Sequence, residues 1–178
     1  MGFDTLLVGV ILLANPYHKA TDLIAAVIIS TAVRQAEEVL RGFRRARLFS
    51  YGLIAVGALE IIFGYIFPTP LLTGITEVWR YGIIIPIGIY LTFGICDFAM
   101  INENAEIYKE AEKVKKPIFA SCLLAATIEA MAVIFPSIAW ISVFTRLTAM
   151  VALAMLATAV YKCQNELEKP KTEPENEE

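Results

Sequence analysis

The sequence predicts an all-α integral membrane protein, a polytopic helical bundle of about six helices in three hairpins. Three observations carry this. Of the 178 residues 57% are hydrophobic and 19% charged, and the mean hydropathy is +0.62, whereas soluble domains sit near ~45–50% apolar and ~25% charged. Apolar runs recur along the chain, and four of them approach the ~20 residues that a helix needs to cross a bilayer. Prolines and clusters of basic residues alternate between those runs, as they would at opposite ends of a bundle. The length fits one membrane domain, residues 1–167, followed by a charged, proline-containing tail (168–178) expected to be disordered.

The first run, residues 3–14, ends at Asn15 and Pro16. It lacks the basic start of a secretory signal, and Leu6 stands where a myristoylation motif needs Ser or Thr, so it is read as part of the fold. The second run, 23–33, passes into a polar stretch at Arg34. Both runs are short, and either spanning or re-entering from one side is compatible with them; six spanning helices is the favoured reading. Run three, 48–67, ends at Pro68 and Pro70, run four covers 78–100, run five 117–135 ends at Pro136, and run six covers 138–161. Proline disfavours helical geometry in the residue before it, so the proline sites read as hairpin tips. The hairpins are then 3–47, 48–116 and 117–163.

Charge sets the orientation. The connectors and tail hold 12 of the 15 basic residues, among them Arg34, Arg41, Arg44, Arg45, Arg47, Lys109, Lys113, Lys115 and Lys116, while the tips hold Lys19, Arg80 and Arg146. Basic loops stay on the cytoplasmic side, which places the chain in the cell membrane with both termini cytoplasmic. Arg41, Arg44, Arg45 and Arg47 are expected to contact lipid headgroups. The second and fourth helices look as if they outrun the membrane near 34–47 and 101–116, with apolar stripes at Ala36, Val39, Leu40 and Phe43 and at Ile101, Ala105, Tyr108 and Ala111. Pro117 would end the second extension and start the next helix. These extensions form a small cytoplasmic bundle or lie on the headgroups.

The candidate chemistry sits in a near-repeat. Residues 53–68, LIAVGALEIIFGYIFP, align with 122–136, CLLAATIEAMAVIFP, matching Glu60 to Glu129; downstream, Arg80 matches Arg146. A carboxylate in lipid costs several kcal/mol unless it faces a partner. The simpler reading pairs Glu60 with Arg80 and Glu129 with Arg146 as hairpin-locking ion pairs. The functional alternative makes Glu60 and Glu129 a pseudo-symmetric site for protons or a small cation. Asp97, near the end of the fourth run, either meets the interface or pairs with Arg34. Cys96, Cys122 and Cys163 fall near the same ends of three helices; a metal or redox site would need such matching depth, but ordinary buried thiols are the favoured reading. His18 is expected to be solvated at a tip. Pro86, between Gly82 and Gly88, should kink its helix, and Trp79, Tyr81 and Trp140 suit an aromatic belt. Phosphate-binding glycine loops, Ser/His/Asp sets and HExxH motifs are absent from the sequence, so no cofactor or metal is expected and the reading leans away from an enzyme. The net charge of −3 argues against nucleic-acid binding.

At GALEIIFGYIFP, and again at ATIEAMAVIFPSIAWISVFTRLTAMVALAMLATA, the chain resembles small membrane proteins of the DoxX kind, in which a Glu-bearing helix turns back into an Arg-led, Ala-rich helix. The resemblance covers roughly the last two thirds of the chain. The three-hairpin layout with prolines at the tips also resembles HdeD-type acid-resistance proteins. The chain departs from DoxX in its extra first hairpin and from HdeD in its glycine-poor last one. The DoxX likeness implies a membrane partner of redox enzymes, and the HdeD likeness a stress-linked protein. From the residues alone, three functions stand: a non-catalytic accessory or scaffold subunit, which the sequence favours; a small transporter or channel for protons or a small cation; and a redox-linked DoxX-like protein. The expected partners are the lipid bilayer and other membrane subunits or further copies of the chain.

Overall fold

In a computed structural model the described residues are 2–15, 19–34, 36–37, 40–66 and 69–168. The tips at Pro16 and Pro68, His18 and the tail beyond 168 lie outside them, as does the Lys19 side chain. The described chain forms α1 (Phe3–Leu13), α2 (Lys19–Arg34), α3 (Arg41–Ile66), α4 (Pro70–Ile101), α5 (Ala105–Ile134) and α6 (Ala139–Glu168), with a short 3-10 turn, Pro136–Ile138, before α6. Four stretches are long and apolar enough to cross a membrane: Arg41–Phe63, Gly74–Ile101, Ala105–Ile134 and Pro136–Glu166. This is a membrane-embedded helical protein.

Consecutive helices are neighbours, α6 closes back on α1, and α4 also touches α6. The register between them follows from side-chain and glycine contacts. Gly57 of α3 lies against Leu23 of α2, and Gly52 lies against Ile83 of α4. Gly74 of α4 lies against Val133 of α5, and Gly88 lies against Ile118. Gly42 of α3 is closest of all: a Cβ there would meet the Gly94 nitrogen at 2.3 Å and the Tyr90 carbonyl oxygen at 2.7 Å. Small residues permit such backbone contact between membrane helices, where apolar surface gains nothing by leaving lipid. At this end of the bundle Phe3 of α1 meets Phe98 of α4 and Phe43 of α3 edge-on, with ring centroids 5.0 Å and 6.5 Å apart. At about 1.5 Å per residue α1 is ~16 Å long and α2 ~24 Å, and α2 runs beside the apolar half of α3. The first hairpin is therefore built into the bundle.

The connectors differ from the sequence reading. Helix α2 stops at Arg34, and Arg41 to Arg47 form the first turns of α3. The apolar stripe of Ala36, Leu40 and Phe43 suggests an extension of α2, whereas Phe43 belongs to α3 and Val39 lies outside the described residues; Glu37, ahead of α3, pairs with Arg47. Pro117 lies inside α5. The break falls instead at 102–104, where Glu103 takes a positive φ of 53° and the Asn104 side chain accepts from the backbone N–H groups of Glu106 and Ile107 at 3.1 Å. Restarting the helix there changes its buried stripe from the expected one to Ile107, Ala111, Val114, Ile118, Cys122, Ala125 and Glu129, with Ile101 and Ala105 exposed. Glu106 and Glu110, adjacent like charges on α5, share Lys162 of α6 at 3.0 Å and 3.3 Å.

Candidate functional site

The basic end of the bundle gives a reference depth. Arg45 lies over the Tyr90 ring at 5.3 Å and Lys115 over the Phe93 ring at 4.3 Å, an amphipathic arrangement suited to a membrane interface. Arg80 is on α4, 10 to 13 residues from those rings, or ~15–20 Å along the helix. That is about half of a ~30 Å hydrocarbon layer.

At this depth five charged side chains from four helices converge. Arg80 donates through Nε to Asp22 Oδ2, and through Nη2 to Asp22 Oδ1 at 3.1 Å. Its Nη2 also reaches the Asn15 carbonyl oxygen, beyond the end of α1, at 3.4 Å. Glu77, one turn before Arg80, lies 3.7 Å from the Arg80 Nη1 and 3.7 Å from the Arg146 Nη2. Arg146 of α6 donates through Nε to Glu129 Oε1 of α5 at 2.6 Å. The chain of contacts runs Asp22–Arg80–Glu77–Arg146–Glu129 and ties α2, α4, α5 and α6 together. All but Arg146 are buried, and Arg146 is about a quarter exposed. Bidentate geometry on Asp22 is the strong form of such a contact.

The structure brings Glu129 and Arg146 together but corrects the expected Glu60–Arg80 pair: among the described residues the carboxylates ion-paired to Arg80 are Asp22 and Glu77. Register is the reason. With Gly52 opposite Ile83 in antiparallel helices, the α3 residue level with Arg80 is near position 55, and Glu60 sits ~7–8 Å further toward the tips. Glu60 is buried there. Asp97 is half-buried in a 290 Å³ cleft with Arg41, Gly42, Arg45, Tyr90 and Phe93, and its expected partner Arg34 is not among the lining residues. Tyr81 leaves the anticipated belt: it is buried beneath the Arg80 guanidinium, 5.0 Å from ring centroid to Cζ, while Trp79 and Trp140 are exposed.

The three cysteines are buried but do not share a depth. The α4–α5 register puts Cys122 opposite residues 84 and 85, ~17 Å from Cys96. Among the described residues no group of three His, Cys, Asp or Glu side chains could hold a metal ion. Arg41, Arg44, Arg45 and Arg47 line a 640 Å³ cleft with Glu37, Leu48 and Tyr51, at the same end as the ring-stacked cations.

Asp22, Glu77 and Tyr81 were not legible as site residues from spacing. The available signal was charge counting: Asp22 interrupts an apolar stretch, and Glu77 precedes Arg80 by three residues on one helical face. Among the described residues the network holds three carboxylates against two guanidiniums. Glu77 Oε2 and the Tyr81 hydroxyl are buried without a hydrogen-bond partner among the described residues. No protein-family model, curated protein or solved structure matches the chain.

Proposed function

We propose that the chain is a non-catalytic accessory or scaffold subunit of a larger membrane assembly, seated in the cell membrane with its basic end and both termini on the cytoplasmic side. The observation that carries this is the intramembrane network. Arg80 and Arg146 are bound to carboxylates of the chain itself, across four helices, which makes the bundle a rigid body. On its outer surface α6 presents Trp140, Phe144, Leu147, Val151 and Met155 at helical spacing, all exposed, a face suited to a second membrane helix or to lipid. The orientation rests on the basic residues that gather at one end, in the cleft of four arginines and beside Lys115. Mild-detergent purification from native membranes tests the role, with photocrosslinkers at Phe144 and Val151. A defined membrane partner crosslinked from those positions is the expected result; a chain that crosslinks only to lipid or to itself refutes it.

A second reading, a small proton or cation transporter, is favoured by the excess carboxylate in the network. It keeps Glu60 and Glu129, both buried, as candidate groups and adds Glu77. Proteoliposome flux abolished by Glu77→Gln supports it, and absence of flux in the wild-type protein removes it.

A further inference from the structure

We propose that the cleft on the first turns of α3 is a binding site for the phosphate headgroup of an acidic phospholipid, one lipid to each chain, with the acyl chains running inward past Leu48 and Tyr51. The proposal is independent of whether the chain has a partner subunit and of which side of the membrane its basic end faces.

It starts from the helix. Arg41, Arg44, Arg45 and Leu48 recur at i, i+3, i+4 and i+7 along α3, so they share one face, and Arg47 flanks it. With Glu37 and Tyr51 these residues line one cleft of 640 Å³, within the ~300–1,000 Å³ usual for ligand sites. Four cations in two turns repel one another, and the start of a helix is where its dipole disfavours them. Arg47 is compensated: it pairs with Glu37 and donates through Nε to the Tyr51 hydroxyl at 2.9 Å. Arg41, Arg44 and Arg45 are exposed, and among the described residues no carboxylate pairs with them. Glu38, outside the described residues, is one further carboxylate in the sequence and can meet only one of the three. Asp97 lines the neighbouring cleft with Arg41 and Arg45, which leaves the side they share with Arg44 and Arg47 for an anion.

The donors and their depth define the ligand. A guanidinium presents its N–H groups in a planar fork that matches phosphate oxygens two at a time. Three such forks on one face exceed what a phosphodiester, with a single charge and two free oxygens, can take up. A phosphate monoester offers three oxygens and about −1.5 to −2 charges at neutral pH. Depth separates a lipid from a soluble phosphate. The stretch able to cross the membrane begins at Arg41, so the arginines stand at headgroup level, where Arg45 and Lys115 also lie over the Tyr90 and Phe93 rings. Leu48 and Tyr51 are exposed and line the same cleft, ~6 Å and ~10 Å further along α3 than Arg44 and so deeper in the bilayer. A cationic mouth at the interface with an apolar wall leading inward fits an amphiphile; a free phosphate makes no use of the wall.

Native mass spectrometry of the full chain in mild detergent, titrated with phosphatidic acid, tests this. The expected result is saturation at one lipid per chain, about tenfold or more tighter than for phosphatidylglycerol or phosphatidylcholine with the same acyl chains. Arg41→Gln with Arg44→Gln weakens binding by about tenfold or more, and Lys115→Gln, at the same end but outside the cleft, leaves it unchanged. Equal weakening by the two variants, or uptake of several lipids without saturation, shows diffuse attraction and overturns the proposal. Arg44→Lys keeps the charge and loses the fork, so it also weakens binding; wild-type affinity in this variant overturns the site, and this arm decides the matter if the double variant does not fold. Inorganic phosphate at millimolar concentration leaves the bound lipid in place; displacement makes free phosphate the occupant and overturns the lipid assignment. A photocrosslinker at Leu48 that captures the chain's own acidic tail, beyond residue 168, in place of lipid overturns it as well.

Discussion

Arg80 and Asp22 offer the most decisive test of the architecture, because the sequence repeat and the structure name different partners for the same guanidinium. Asp22 is 1% exposed and Arg80 5%, so solvent screens the pair little. Removing one partner of a buried ion pair costs ~3–5 kcal/mol, because the other charge is left uncompensated. Arg80→Gln strands Asp22 and takes a cation away from Glu77, and belongs at the upper end. Asp22→Asn leaves Arg80 with Glu77 at 3.7 Å, and belongs at the lower. For a chain of this size such losses lower the melting temperature by on the order of 10 °C. The assay is a double-mutant cycle of thermal melts in detergent. Asp22→Asn with Arg80→Gln removes both charges and recovers ~2–3 kcal/mol of the summed losses, near the upper range of measured couplings. Additive losses refute the pairing. A Glu60→Gln/Arg80→Gln cycle with equally strong coupling refutes the register that separates Glu60 from Arg80.

The same cycle on Glu129 and Arg146 should give a weaker coupling, roughly 2 kcal/mol, because Arg146 is partly exposed and retains Glu77 as a neighbour; a coupling larger than that of Asp22 and Arg80 contradicts this ranking in melts. Gly42→Ala drives a methyl group into the α4 backbone and should cost ~3 kcal/mol or more, whereas Gly82→Ala meets nothing within 4 Å and should be neutral or stabilise by up to ~1 kcal/mol; equal melting temperatures for the two variants would show that α3 and α4 do not touch there. Neutralising Arg41, Arg44, Arg45 and Arg47 together removes about 1 kcal/mol per residue of attraction to an anionic leaflet, and cysteine-accessibility mapping should find mixed orientation; a wild-type map in that variant removes the argument for sidedness.

Helix number and the apolar spans were readable because hydropathy and proline placement are local properties of the chain. The connectors were less so. An amphipathic stripe such as Ala36, Leu40 and Phe43 is buried whichever helix owns it, so periodicity could not say that Arg41 begins α3. Asn104 as a cap and Glu103 at positive φ set the α4–α5 break, and such a polar triplet competes poorly, on sequence alone, with a proline as an obvious boundary. The pairing of charges was least legible. It depends on relative helix heights to within one turn, and the matched positions of Glu60 and Glu129 in the repeat conceal different heights relative to Arg80 and Arg146. Asp22 becomes Arg80's partner only because the first hairpin packs beside α3, a tertiary fact with no local signature.

A network that served only to lock helices would balance its charges. Asp22 with Arg80 and Glu129 with Arg146 already do so, pair by pair, and join α2 to α4 and α5 to α6. Glu77 is surplus to that balance: its ion pairs with both cations, at 3.7 Å, are longer than hydrogen bonds, and such long contacts offset only part of the cost of burying a third carboxylate at this depth. Stability alone therefore does not account for it. Glu77→Gln keeps the volume and discards the surplus charge, so its melting temperature should equal or exceed that of the wild type. A loss as large as that of Asp22→Asn would instead make Glu77 the bridge on which both pairs depend, and would return the whole network to a structural role.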